Sequence, residues 1–109
     1  MSSIQEDYLL RMMQQAILFI QRVLGMAEAG KRAEARQDLD QAWEKLLGLP
    51  RGVAHRLDSP SLLRLLGAER AQVAAALLEA EARLCFMDGE EDLGAQILEK
   101  VAELRKEGA

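Results

Sequence analysis

Two stretches of the chain carry one spacing of small and apolar residues: Gly30, Ala35, Leu39 and Ala42, and again Gly89, Gly94, Leu98 and Val101. In each, a glycine interrupts a helical pattern, a small residue stands five positions later, and larger apolar residues recur at helical spacing. A glycine so placed ends a helix in left-handed backbone and lets the chain turn back on itself. The pattern therefore predicts two antiparallel helix pairs built alike, an all-α scaffold that presents surfaces to other molecules. No nucleophile elbow, glycine-rich phosphate loop or metal-ligand spacing accompanies it.

With 109 residues the chain fits one domain able to bury roughly 65% of the surface its unfolded form exposes. Half of the residues are hydrophobic, yet Phe, Trp and Tyr make up only 4%. The core must then be built from Leu, Ala, Ile, Val and Met, mostly strong helix formers. Cys85 is the only cysteine, which excludes an intrachain disulfide, and the N-terminus carries neither a basic leader nor a long apolar run. These features set the expectation of a soluble cytoplasmic protein. A net charge of −4 argues against nucleic acid, which calls for a basic face. The charge is unevenly spread: residues 51–70 are net +2 and residues 79–103 net −6, so one region can pair with the other.

Along the chain, Ser3 and Glu6 form a capping box that opens a helix running to about Ala27. At about 100° per residue, the apolar positions from Tyr8 to Met26 cover roughly 200° of this helix, twice the width of a single core contact. Arg11, Gln14, Gln15, Gln21 and Arg22 hold the remaining face, with Leu18 alone among them. One neighbour cannot bury so wide a stripe, and one margin is expected to pack inside while the other meets a partner. Residues 31–47 form an ordinary amphipathic helix through Ala35, Leu39, Ala42, Trp43, Leu46 and Leu47. Gly48, Pro50 and Gly52 stop it, and residues 48–58 read as a basic loop. Ser59 as N-cap, Pro60 at the first helical position and Gly67 as stop mark a short helix that plugs one end of the core. A third long helix spans about 68–87, and a fourth follows Gly89 with Leu93, Ile97, Val101 and Leu104 turned inward. Gly94 within that last helix costs about 1 kcal/mol against alanine, so a close backbone approach is expected to justify it. The organisation is one helical domain: a hairpin at about 3–47, a connection at 48–67 and a hairpin at about 68–107.

The repeated spacing resembles tetratricopeptide repeats, whose second helix follows a turn glycine with small, large apolar and small residues at set positions. Gly30, Ala35, Leu39 and Ala42 match well. In the second copy Gly94 stands for the usual alanine and Val101 for the last small residue. The first-helix positions fall on Phe19, Val23 and Met26, and on Leu78, Ala82 and Cys85, while Arg22 and Glu81 stand where that family has leucine. The whole chain, including Asp7-Tyr8-Leu9-Leu10-Arg11, is similar to a small uncharacterised bacterial family of tetratricopeptide-like helical proteins. That resemblance implies the helical fold and no particular activity.

Few residues suggest chemistry. His55 is the only histidine, and with Arg51 and Arg56 it forms a candidate anion site; as a loop residue it is expected to be solvated. Cys85 reads as a small buried hydrophobe. Glu81 falls inside the apolar stripe of the third helix, and a buried carboxylate needs a partner or a proton. Arg64 of the short helix is its expected partner, and no second acid or histidine stands at a spacing that makes a catalytic dyad. Asp88, Glu90, Glu91 and Asp92 lack the ligand alternation of a calcium loop and read as acids complementing a helix dipole.

The expectation is a non-catalytic protein–protein interaction module without metal or cofactor, self-associating through its first helix as a homodimer. Candidate interface residues are Tyr8, Leu10, Met13, Ile17, Phe19 and Met26. The alternative is a small-molecule or peptide-binding helical protein that uses the basic loop 51–56 or the carboxylate of Glu81. The polar interruptions and sparse basic residues of the first helix argue against membrane binding.

Overall fold

The computed structural model describes residues 3–107, with side chains from Glu6 onward. Among these residues the chain is all-α. The elements are α1 (Ser3–Glu28), α2 (Arg32–Ala42) continued by a π-helical turn (Trp43–Leu47), α3 (Arg51–Arg56), α4 (Ser59–Leu66), α5 (Ala68–Met87) and α6 (Glu91–Glu107). The Ser3 side chain expected to cap α1 lies outside the described residues.

The two glycines at the head of the repeated spacing do the same job. Gly30 and Gly89 take φ of +83° and +79°, a backbone that side chains other than hydrogen resist. Behind Gly30 the amide of Lys31 bonds the Met26 carbonyl at 2.8 Å, and the Gly30 amide bonds Ala27 at 3.0 Å. Behind Gly89 the amide of Glu90 bonds Cys85 at 2.8 Å, and the Gly89 amide bonds Phe86 at 3.2 Å. Both are Schellman closures, which satisfy carbonyls that a helix end otherwise leaves open. The chain reverses at each, so α1 lies along α2 and α5 along α6. Ion pairs bridge each hairpin: Arg22 with Asp38, eight residues either side of Gly30, and Glu79 of α5 with Arg105 of α6.

Helix α5 is the centre of the molecule, touched by α1, α2, α4 and α6. Being covered on most of its circumference, it buries alanines at 71, 74, 75, 80 and 82 beside Val73, Leu77, Leu78 and Leu84. Small side chains let four neighbours approach one axis. The α2 stripe is buried as expected, from Ala35 to Leu47, and Trp43 is its largest member. Its indole Nε1 has no hydrogen-bond partner among the described residues.

Three expectations about the connection and the last helix are corrected. Residues 48–58 are not one loop, because α3 forms within them. Pro50 supplies an extended N-cap at φ −61° and ψ 138°, and Ala54, fully buried, anchors the turn that follows. The N-cap of α4 is Asp58, not Ser59: its carboxylate accepts the Ser61 amide at 2.8 Å, while the buried Ser59 hydroxyl donates to Glu103 at 3.1 Å. A carboxylate is at least as good a cap as a hydroxyl. Leu93 is not turned inward but is exposed, since the buried arc of α6 centres on Gly94, Ile97, Val101 and Leu104.

Gly94 does sit at a close contact, but with a side chain. A methyl group there would stand 2.9 Å from the ring of Phe86, so that exposed ring would have to shift to admit it.

Candidate functional site

Two charged clusters join elements distant in sequence. The more buried centres on Glu81, whose side chain is only 4% exposed. Arg51 donates through Nη1 to Glu81 Oε2 at 3.0 Å, and His55 donates through Nε2 to Oε1 at 2.9 Å. Both carboxylate oxygens are thus occupied by α3. Arg51 also reaches Asp40 of α2 through Nε. Burial works against the Arg51 charge, but the hydrogen bond to Asp40 and the charge of Glu81 outweigh it, and its pKa is raised. The cluster therefore fastens α3 to α5 and α2. Lys100 closes the other end of α3 by donating to the carbonyls of Ala54 and Leu57, where a cation suits the helix terminus. Burial lowers its pKa.

The structure thus brings together three of the four candidate ligand residues, Glu81, Arg51 and His55, and leaves Arg56 exposed. His55 is a half-buried partner of a carboxylate, not a solvated loop histidine. Glu81 is paired with Arg51 and not with Arg64, whose recorded side-chain bond is to Ser61. Both corrections have one cause. Positions 51 and 55 stand four apart, on one face of a helix, only because α3 exists. Pro50 was the signal for it.

A second cluster ties the two hairpins. Arg32 and Arg36, one turn apart on α2, hold Asp88 at 2.9 and 2.8 Å, and Arg36 also reaches Glu90 at 3.0 Å. The Arg36 hydrogen bond holds the Asp88 carboxyl below the usual carboxylate range. The front of the acidic run is therefore an ion-pair site, and only Glu91 and Asp92 lie in the first turn of α6. Cys85 is buried; burial pushes its thiol pKa up against the pull of Arg36. Among the described residues no group of three or more His, Cys, Asp or Glu is placed to hold a metal ion.

The remaining feature is the surface of α1. Its midline, Met12, Ala16, Val23 and Ala27, is buried, and both margins reach solvent. Of the six candidate interface residues, Tyr8, Leu10 and Ile17 are exposed at 60%, 57% and 49%. Met13, Phe19 and Met26 are half-buried against the core. The expectation that one margin packs inside is thereby corrected: the wide stripe is centred on the core, and each edge overhangs it. Leu18, which sequence reasoning left among polar residues, is the most exposed large apolar side chain among the described residues at 65%.

The two margins differ in charge. Leu10, Met13, Ile17, Ile20 and Leu24 alternate at spacings of three and four, with no charged residue among them on α1, beside Ala76 and Ala80 of α5 and the oppositely charged pair of α5 residues Glu79 and Arg83. The opposite margin borders the π-helical turn. There Tyr8, Met12, Gln15, Leu18 and Phe19 face Leu46 across a recess rimmed by Arg11, Arg22 and Lys45.

No protein-family model matches the chain, and neither curated proteins nor solved structures give a match. No described helix is long and apolar enough to cross a membrane.

Proposed function

We propose that the chain is a non-catalytic interaction module of two tetratricopeptide-like helix pairs, working in the cytoplasm as a homodimer joined through α1. The observation that carries this reading is the uncharged stripe from Leu10 to Leu24. Apolar residues at alternating spacings of three and four make the seam on which helices pair. A seam without charge opposes itself across a two-fold axis at no electrostatic cost, as an isologous contact requires. The matching Schellman turns and the shared small positions support the repeat resemblance. The arginine and histidine on Glu81 support a structural role for that carboxylate over the ligand-binding alternative.

Light scattering coupled to size exclusion at micromolar concentration tests the reading. The expected mass is twice the chain mass of 12.1 kDa. Ile17→Glu is expected to halve that mass without lowering the melting temperature, because the side chain it replaces is half exposed. A wild-type mass of one chain, or an Ile17→Glu variant that keeps the double mass, contradicts it.

A further inference from the structure

We propose that the recess between α1 and the π-helical turn is a docking groove for an acidic amphipathic helix of another protein. Three observations converge on this occupant. The groove is apolar at its base, where Met12 and Leu46 are buried, and its walls carry exposed Tyr8 and Leu18. Its charged lining is of one sign: Arg11, Arg22 and Lys45 contribute, and no carboxylate does, in a chain with 18 acids against 14 bases. Arg22 lies 4.9 Å over the Phe19 ring while pairing with Asp38, and Arg11 and Lys45 make no ion pair among the described residues. The charges of Arg11 and Lys45 are available to a partner.

Shape selects the helix. Two adjoining hollows of about 300 and 220 Å³ share Gln15, Lys45 and Leu46, so they form one furrow. From Tyr8 to Arg22 it runs about 21 Å along α1, the length of a four-turn helix. Both walls are helices whose backbone groups are already bonded internally, so an extended segment would find no ladder to join. An occupant that satisfies its own backbone and inserts side chains at i, i+3 or i+4, and i+7 fits such a furrow. A second α1 does not, because the unpaired Arg11 and Lys45 would face their own copies. The groove and the uncharged seam thus lie on opposite margins of one helix.

Selection from a displayed library of random peptides of about 16 residues tests the proposal. Enriched sequences are expected to combine helical apolar spacing with an excess of Asp and Glu. The dissociation constant of such a peptide is expected to rise about tenfold or more in Leu18→Glu and in Lys45→Glu. Both replaced side chains are exposed, so the melting temperature and the solution mass of the variants should stay at wild-type values. The double variant Arg11→Glu/Lys45→Glu should shift selection toward Lys- and Arg-rich peptides. No enrichment, enrichment of neutral or basic peptides, or binding indifferent to Leu18→Glu would overturn the proposal. So would flotation of the protein with phosphatidylglycerol vesicles that Lys45→Glu abolishes, which would assign the groove to a membrane surface.

Discussion

A carboxylate enclosed between helices persists only when its oxygens are occupied, and Glu81 has Arg51 on one and His55 on the other. Removing Arg51 strands a buried charge, so Arg51→Ala should cost about 3 kcal/mol in urea unfolding, whereas Arg56→Ala on the exposed side of α3 should cost under about 0.5 kcal/mol. Equal effects of the two would show that Glu81 does not depend on its arginine. Gly94 and Phe86 form a second local dependence. Alanine at position 94 offers about 1 kcal/mol of helix propensity but meets the Phe86 ring. In a Phe86→Ala background that gain should appear in full, raising stability by about 1 kcal/mol; Gly94→Leu in the native background should lower it by about 2 kcal/mol through overpacking. A thermal-unfolding cycle over positions 86 and 94 that shows no coupling would remove the contact as the reason for the glycine.

At the scale of elements, the hairpins pack through α1 and α2 on α5, and Arg32 and Arg36 of α2 add an ion-pair tie to Asp88 at the α5–α6 turn. The native pKa of Asp88 lies below its ordinary 3.8, so the unfolded chain binds the proton first as the pH falls. The contribution is complete above that ordinary value and is lost as the pH drops through the native one. Asp88→Asn should therefore melt lower than wild type at neutral pH, with the gap closing as the pH falls below the ordinary 3.8. A gap that stays constant across that range would contradict the ion pair. The turns that place Asp88 were legible because Gly30 and Gly89 announce themselves by position. Helix α3 was not: its two glycine and proline neighbours look like breakers, although Pro50 at an N-cap starts a helix and Gly52 is tolerated on its exposed face. Missing α3 hid the partners of Glu81, while the anomaly of a carboxylate in an apolar stripe was plain from spacing.

The whole molecule is a narrow body of 46 × 25 × 20 Å with α1 along one side. Its excess apolar width was legible as a stripe of roughly 200°, but how that width divides was not, since it depends on where α2 and α5 come to rest against it. They meet the midline and leave two margins, one apolar along α1 and bordered by one acid and one base of α5, the other rimmed by cations. In the dimer proposed above, the two grooves would lie on opposite sides of the two-fold axis, each open to its own partner. Sedimentation equilibrium of the full chain in low and high salt tests the pairing most directly. The account predicts twice the chain mass in both, because an uncharged seam of Leu, Met and Ile has no attraction for salt to screen; a single-chain mass, or a double mass that falls apart as salt is raised, would contradict it.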